Sequence, residues 1–302
     1  MPSVFWTGRL SRTMKFVVNF SNMMAWVTGN ARNTAAMKRR MKSGYEGTVT
    51  DYVTRYDDVG MKTYTNIATE LLKNVDVKGK NVVDVGCGTG ILSLAALDSG
   101  ATKVVCGDLS EYMASQCQSK AKARGYGIKQ IEVRQLDGES LPFEDNSFDM
   151  AISSMVMGFV PDQKKFITEM ARVTRPGGII AVATHGTDLY YEAVDAYFRA
   201  ISKRYVFGYR IEFWPRNEKE VSRMLSQAGL NDVRTRRLYY QDNFETASKA
   251  YDFFACVSGS WWLTKFPPEK IAIEAEKARR YFERKGVTKI TEDAILALAM
   301  KP

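Results

Sequence analysis

The chain has 302 residues, of which 45% are hydrophobic and 25% are charged, so it can bury a substantial core in one large domain or two modest ones. It contains no run of about 18 apolar residues, which excludes a membrane-spanning helix. The net charge of +9 is concentrated in residues 1–45, which hold eight Lys or Arg and no acid. The remainder is nearly neutral, and we therefore expect no nucleic-acid partner, because a duplex-binding face needs cations spread over its surface.

Residues 1–60 are predicted to form a basic N-terminal helical lid before a main domain of residues 61–302. Apolar side chains recur on one helical face, and the basic cluster Lys38–Lys42 follows. Three interpretations stay open: a lid over an acceptor pocket, a helix lying on an anionic membrane surface as a peripheral contact, or an organelle transit segment. The apolar face consists of Phe16, Phe20, Met23, Met24 and Val27.

From Asn81 onward, short apolar runs alternate with helical patterns, which predicts a parallel sheet covered by helices. Ser110 is expected to cap a helix that runs to about Arg124, and Asn217 with Glu220 resembles a capping box. Two insertions rich in aromatic residues, about 187–215 and 240–290, are expected to build an acceptor pocket. The predicted strands are 82–85, 103–107, 130–135, 148–153, 179–184, 232–238 and 294–300.

The four cysteines, at positions 87, 106, 117 and 256, have neither the spacing of a metal site nor that of a disulfide framework. We therefore expect no metal and a reducing compartment, which favours a cytoplasmic location. An organelle or a membrane surface is the alternative if the N-terminal segment is a transit or membrane-binding element.

The glycine loop after the first strand is the most informative stretch. Glycine stands at positions 86, 88 and 90, where the chain must turn sharply and let a ligand approach the backbone. A dinucleotide fingerprint would need a further glycine at Ile91. Asp84 at the strand end is a poor neighbour for a pyrophosphate and a good one for a cation. A positively charged nucleoside without phosphates is indicated, and S-adenosylmethionine fits that description.

The next two strands also end in acids. Asp108 follows Gly107 at the end of the second strand, where a carboxylate can accept hydrogen bonds from both ribose hydroxyls. Asp137 and Gly138 follow the third strand, where a carboxylate can accept from an adenine amino group. Acids in register after three successive strands support a nucleoside site more strongly than the glycine loop alone.

These features resemble the class I S-adenosylmethionine-dependent methyltransferases, in the branch that holds quinone, sterol and other small-molecule enzymes. The resemblance covers about residues 45–240 and implies a Rossmann-like α/β fold with a seven-stranded, mostly parallel sheet, its last strand antiparallel, and helices on both faces. The matching stretches are VVDVGCGTG (82–90), GDLSEYM (107–113), LDGESLPFEDNSFD (136–149) and ARVTRPGGIIAV (171–182).

The resemblance also implies roles for individual residues. It places the glycine loop with Asp84 at the methionine moiety, Asp108 at the ribose, and Leu109 and Met113 on either side of the adenine. The tyrosines of residues 45–60 would close over the cofactor and are also candidates for acceptor contacts. The implied cofactor-binding residues are Asp84, Gly86, Cys87, Gly88, Gly90, Asp108, Leu109, Met113, Asp137, Gly138, Ser153 and Ser154, and the tyrosines are Tyr45, Tyr52 and Tyr56.

A neutral hydroxyl or carbon acceptor needs a base in addition to alignment with the methyl group. The sole histidine, His185, follows the fifth strand and is the candidate, although it could equally hydrogen-bond a loop. The fourth strand runs into Ser153 and Ser154, whereas enzymes that methylate nucleobase amines carry Asn or Asp there, followed by Pro-Pro and an aromatic residue. This difference argues against a nucleobase amine as the acceptor. Weaker candidates for acceptor contacts are Tyr190, Tyr191, Arg210, Glu212 and Trp214.

The sequence thus predicts an S-adenosylmethionine-dependent methyltransferase that acts on an oxygen or carbon of a small aromatic or lipophilic acceptor. Two alternatives remain: a methyltransferase that uses the basic N-terminus to hold RNA or protein, and a non-catalytic S-adenosylmethionine-binding protein.

Overall fold

A computed structural model describes residues 8–27, 34–45, 61–202, 217–259, 263 and 266–302. Its core is one sheet of seven strands in the order β3-β2-β1-β4-β5-β7-β6. β1 to β5 run parallel, and β7 runs antiparallel to both of its neighbours. The sheet confirms the predicted Rossmann-like architecture, including the antiparallel last strand. The strands are β1 Asn81–Val85, β2 Lys103–Asp108, β3 Ile131–Gln135, β4 Phe148–Ser154, β5 Thr174–His185, β6 Asn231–Asn243 and β7 Lys289–Met300.

Helices cover both faces of this sheet, because alternate strand residues point to opposite sides. Val82 and Val104 join the larger buried cluster, whereas Val83 and Val105 join the smaller one on the other face. The helices are α1 Arg12–Val27, α2 Thr34–Tyr45, α3 Met61–Leu72, α4 Ile91–Asp98, α5 Glu111–Ala123, α6 Gln163–Val173, α7 Tyr191–Ala200, α8 Glu218–Gln227, α9 Ala247–Phe254 and α10 Pro268–Lys285, with a π-helical turn at Ala255–Gly259.

The helix starts predicted from capping residues are observed. The Ser110 hydroxyl accepts a hydrogen bond from the Met113 amide at 3.2 Å and starts α5. At α8, the Asn217 side chain accepts from the Glu220 amide at 3.0 Å, and the Glu220 carboxylate accepts from the Asn217 amide at 3.2 Å. Both caps satisfy amides that the first helical turn leaves without partners.

Three strands exceed their predicted ranges by more than one residue. β5 begins at Thr174, which pairs with Phe148 before a bulge that accommodates Pro176-Gly177-Gly178. β6 and β7 extend each other as an antiparallel pair as far as Asn243 and Lys289. The alternation of apolar and polar residues does not predict this extension. The added residues form strands only because β6 and β7, which are distant in the sequence, pair with each other. The second insertion therefore spans residues 244–288 and contains α9, the π-helical turn and α10.

The described part of the N-terminal segment packs against the main domain. Met14 and Val18 of α1 are buried in the larger cluster. The Ser11 hydroxyl donates to Asp195 of α7 at 2.7 Å, and the Arg9 amide donates to the Asp188 carboxylate at 2.8 Å. Among the described residues, no helix has both the length and the apolar character needed to cross a bilayer.

Candidate cofactor and active site

A cleft opens at the carboxyl ends of the parallel strands, beside the point between β1 and β4 where the strand order reverses. Ligands of open α/β sheets bind at such a switch point. The cleft has two lobes with empty volumes of about 850 and 610 Å³, including the space open to solvent. The residues shared by the two lobes are Gly86, Asp108, Val156 and Phe159.

The three glycines of the loop have different surroundings. Gly86 has φ +81°, and a β-carbon there would lie 2.4 Å from Cγ2 of Val156 in the cleft wall. Gly88 has φ +53° and faces open space in the first lobe. Gly90 starts α4 with φ +93°, and its β-carbon would lie 2.6 Å from Sγ of Cys117. Gly86 and Gly88 therefore shape the cleft, whereas Gly90 allows α4 to pack closely against α5.

Asp84 presents a buried carboxyl group to the first lobe. The Ser93 hydroxyl donates to its Oδ2 atom at 2.5 Å, and its buried Oδ1 atom has no hydrogen-bond partner in the described part of the chain. Burial raises the pKa of Asp84 to about 8, against the weaker opposing effect of the Ser93 hydrogen bond. A buried acceptor with one free oxygen is suited to a cationic or hydrogen-bond-donating ligand.

Asp108 lies between the two lobes and is oriented by backbone amides. Its Oδ2 atom accepts from the Gly88 amide at 3.0 Å and its Oδ1 atom from the Ser110 amide at 2.9 Å. The carboxylate therefore links the glycine loop to the start of α5. It lies at the end of β2, and its contact with a ribose stays a prediction.

The second lobe contains the predicted Leu109, Asp137 and Gly138. Lys38 of α2 donates to the Asp137 carboxylate at 2.7 Å and lies 2.6 Å from the Glu139 carboxylate. α2 thus forms part of the wall of this lobe. The sequence analysis missed Lys38 as a site residue, because this contact joins residues 99 positions apart. Met41 and Lys42 of α2 also line the lobe.

Three further predicted cofactor-binding residues, Cys87, Met113 and Ser154, line the first lobe. Leu109 and Met113, expected together beside the adenine, fall in different lobes. Ser153 is not among the lining residues, since its buried hydroxyl donates to the Val85 carbonyl at 2.7 Å and ties β4 to β1. Lining residues that the sequence analysis did not select are Tyr64, Ala68, Thr89, Ile91, Leu92, Met155, Val156, Phe159 and Val257.

Three cysteines meet behind the glycine loop although their spacing in the sequence shows no pattern. The Sγ atoms of Cys87, Cys106 and Cys117 all lie within 4.8 Å of one another, and those of Cys106 and Cys117 are 3.8 Å apart. All three side chains are buried. They bring together the loop, β2 and α5, and they behave as small apolar side chains in this packing.

His185 is fully buried, and burial lowers the pKa of its imidazole to about 3. Its ring packs edge-on against Phe159 of the cleft wall, with centroids 4.9 Å apart, and it does not itself line either lobe. Tyr190 is likewise absent from the lining and packs against Phe253 and Phe254 of α9.

Most of the remaining predicted acceptor contacts lie outside the residues that the structure describes. Tyr191 is half-buried at the start of α7, outside both lobes. Tyr45 ends α2, but its side chain lies outside the described part of the structure. The other predicted contacts outside the described residues are Tyr52, Tyr56, Arg210, Glu212 and Trp214.

The comparisons with known proteins identify the family and the fold. Residues 83–182 match the family described as a methyltransferase domain. A demethylmenaquinone methyltransferase of Bacillus cereus is 32% identical over 187 residues, which cover 55% of this chain and 77% of that protein. The demethylmenaquinone methyltransferase of Bacillus pumilus is 28% identical over 213 residues, which cover 65% of this chain and 90% of that protein.

A solved structure shares the fold at low identity. The phosphoethanolamine N-methyltransferase 2 of Haemonchus contortus, in complex with phosphomonomethylethanolamine and S-adenosylhomocysteine, has a TM-score of 0.52 at 17% identity. The similarity covers 85% of this chain and 60% of that one. Together with the sequence relatives and the cleft, the fold defines a Rossmann-like methyltransferase. This chain belongs to the class I S-adenosylmethionine-dependent methyltransferases.

Proposed function

We propose that this enzyme transfers a methyl group from S-adenosylmethionine to an oxygen or carbon atom of a small, lipophilic acceptor. The observation that carries the proposal is the cleft itself, where acids at the ends of β1, β2 and β3 all face the two lobes around the glycine loop. The names of the relatives, which act on demethylmenaquinone, support an acceptor of this class.

The two lobes suit the two ends of the cofactor. In our proposal the methionine part lies in the first lobe, where Gly86 and Gly88 let it approach the backbone and Asp84 receives its positive charge. Asp108 accepts hydrogen bonds from the ribose hydroxyls, and Leu109 and Asp137 contact the adenine in the second lobe. The S-adenosylhomocysteine in the structural neighbour supports the identity of the cofactor.

The cofactor supplies a methyl group on a positively charged sulfur, so the protein has mainly to align the acceptor and exclude water. The wall of the first lobe is suited to a lipophilic acceptor, because Tyr64, Val156, Phe159 and Val257 present largely apolar surface. Met155 precedes Val156 with φ +60°, an uncommon angle for a residue other than glycine. This backbone turn directs the end of β4 into the cleft.

His185 as a catalytic base stays a prediction. With a pKa of about 3, the imidazole is neutral throughout the physiological range and binds a proton only weakly. A general base contributes roughly 10²- to 10⁴-fold to the rate. If His185 acts as the base, His185→Gln should lower kcat by that order and remove a limb of the pH profile, whereas a packing role predicts a smaller change at all pH values.

The function is tested with S-adenosylmethionine that carries a labelled methyl group, incubated with the purified enzyme and an extract of the source cells. We expect label to enter the organic phase, where mass spectrometry identifies the acceptor. Asp108→Asn should abolish the signal, whereas Asp98→Asn, an exposed aspartate paired with Arg124, should not. Label on RNA or protein would instead support a macromolecular acceptor. Binding of the cofactor without transfer to any acceptor would support a non-catalytic protein.

A further inference from the structure

Helix α1 has two apolar faces, and only one of them packs against the protein. Met14 and Val18 point into the larger core cluster. On the opposite side Phe16 is 68% exposed, Met23 is 40% exposed and Val27 is 58% exposed. Because residues spaced by three and four lie on the same side of a helix, these residues and Phe20 form one continuous outward stripe. We call Phe16, Phe20, Met23 and Val27 the outer stripe.

The outer stripe is the main concentration of exposed apolar side chains in the described structure. Three of the six large hydrophobic residues that are exposed there belong to it, and the other three lie apart, with Tyr239 on β6, Ile273 on α10 and Ile128 in the turn between α5 and β3. Within the stripe, the rings of Phe16 and Phe20 stack with centroids 5.8 Å apart. Isolated apolar residues on a surface need no explanation, but a continuous set indicates a contact surface.

The charge around the outer stripe identifies what it contacts. Residues 1–45 contain no acid, and the exposed Arg12 lies one turn before Phe16. Lys15 lies beside the stripe, and Arg39 is exposed on α2. A helix with an apolar stripe, in a segment whose own charged residues are all cationic, matches a membrane surface, where acyl chains receive the apolar side chains and anionic headgroups attract the cations.

We propose that α1 binds peripherally to an anionic lipid bilayer, with the outer stripe inserted at the boundary between headgroups and acyl chains. The opposite face of α1 remains packed on the domain, so membrane binding requires no unfolding. α2, which follows α1 in the chain, contributes to the wall of the second lobe. Because Met14 and Val18 are buried in the larger cluster, the helix that faces the lipid packs directly on the catalytic domain. The proposal concerns lipid binding alone and does not depend on which acceptor is methylated.

Vesicle flotation tests the proposal with the full-length protein. We expect binding to vesicles of phosphatidylcholine mixed with phosphatidylglycerol, weaker binding to pure phosphatidylcholine, and a decrease as salt is raised. The double variant Phe16→Glu/Met23→Glu should lower the partition coefficient by about ten-fold or more, because it places charge where apolar side chains insert. Circular dichroism and S-adenosylmethionine binding should match those of the wild type, since neither residue supports the core or the cleft.

A matched control separates insertion from a general charge effect. Ile128→Glu/Ile273→Glu makes the same change in net charge at apolar residues that are 71% and 49% exposed elsewhere, and it should retain vesicle binding. Equal loss in both double variants would show that net charge alone drives binding and would overturn insertion of the outer stripe. So would absence of vesicle binding, or a wild-type dimer in solution that the Phe16→Glu/Met23→Glu variant converts to a monomer. A failure here leaves the labelled-methyl assay unaffected, so the two proposals are tested separately.

Discussion

Gly86 and Gly125 have the same backbone angle, φ +81°, but different surroundings. A β-carbon on Gly125 would meet nothing within 4 Å, whereas one on Gly86 would meet Val156 at 2.4 Å. The two glycines therefore allow the cost of the left-handed backbone to be separated from the cost of occupied space.

We expect Gly125→Ala to lower the free energy of unfolding by about 1–2 kcal/mol, the cost of that backbone angle. Gly86→Ala should lower the free energy of unfolding by about 1–3 kcal/mol more, because the added methyl group overpacks against Val156. It should also abolish cofactor binding. Urea denaturation and titration calorimetry measure the two effects. Equal stability losses in both variants, with cofactor affinity retained in Gly86→Ala, would show that Val156 yields easily and that close packing of the loop is unimportant.

The protonation of Asp84 gives a prediction about pH. Burial raises its pKa to about 8, so the carboxyl group is mainly protonated near pH 7 in the absence of ligand. A cation beside it favours the charged form. Binding of S-adenosylmethionine should therefore release about one proton near pH 7, and affinity should rise as the pH approaches 8 and level off above it. Calorimetry in two buffers with different ionisation enthalpies measures this proton.

Ionisation of Asp84 has opposite effects on cofactor affinity and on the stability of the unliganded protein: as the pH rises, affinity increases and stability decreases. Because the folded-state pKa is raised from 3.8 to about 8, its contribution to stability is complete below about pH 4 and is lost as the pH rises through 8. Asp84→Asn should remove this pH dependence together with the proton release. If proton release persists in that variant, another group is responsible.

Among the helices, α2 is attached to the wall of the second lobe through the ion pairs of Lys38. Lys38 contacts both Asp137 and Glu139, and its side chain is only 23% exposed. Lys38→Met should weaken this attachment by about 1–2 kcal/mol. Trypsin should then cleave after Arg39 and Lys42 roughly ten-fold faster, since cleavage follows the population of the opened state.

Lys62→Met provides the comparison for α2. It removes an ion pair in which the largely exposed Lys62 side chain lies 3.8 Å from the Asp242 carboxylate. Such surface ion pairs contribute little to stability. Cleavage after Arg39 and Lys42 should therefore stay at the wild-type rate in that variant. Similar cleavage in Lys38→Met and the wild type would mean that apolar contacts, such as that of Met41, hold α2 without help from the ion pairs.

For two helices, the local sequence is sufficient to predict where the helix begins. Ser110 and Asn217 define helix starts through hydrogen bonds to amides three residues away, so their positions predict α5 and α8 closely. The limits of β6 and β7 could not be predicted in this way. Residues between 239 and 243 are paired because β7 lies beside them, and no feature of their own sequence requires a strand.

At the scale of the whole molecule, α1 contributes to the same core as the sheet. Met14→Ala should lower the free energy of unfolding by about 2–5 kcal/mol, because it opens a cavity in the larger cluster. Met23→Ala changes the same residue type on the opposite side of the same helix and should have little effect without lipid. Thermal unfolding should show one transition that moves only in Met14→Ala. A stable main transition preceded by a small separate one would show that the N-terminal segment unfolds independently.

The class of the protein could be predicted from its sequence, as could the order of the core elements and the positions of Asp84, Gly86, Asp108 and Asp137 at strand ends. These features are legible because they depend on local geometry: a strand ends, the chain turns at a glycine, and a helix begins within a few residues. The parallel arrangement then brings the strand ends to one edge of the sheet.

Tertiary packing, in contrast, forms the cleft at that edge. It brought Lys38 to Asp137, placed Val257 of the second insertion in the first lobe, assembled three cysteines behind the loop, and buried His185 against Phe159. Each of these arrangements joins residues that are distant in the chain or sets the burial of a side chain. Burial and long-range contact result from the packing of all elements together, and no local pattern encodes them.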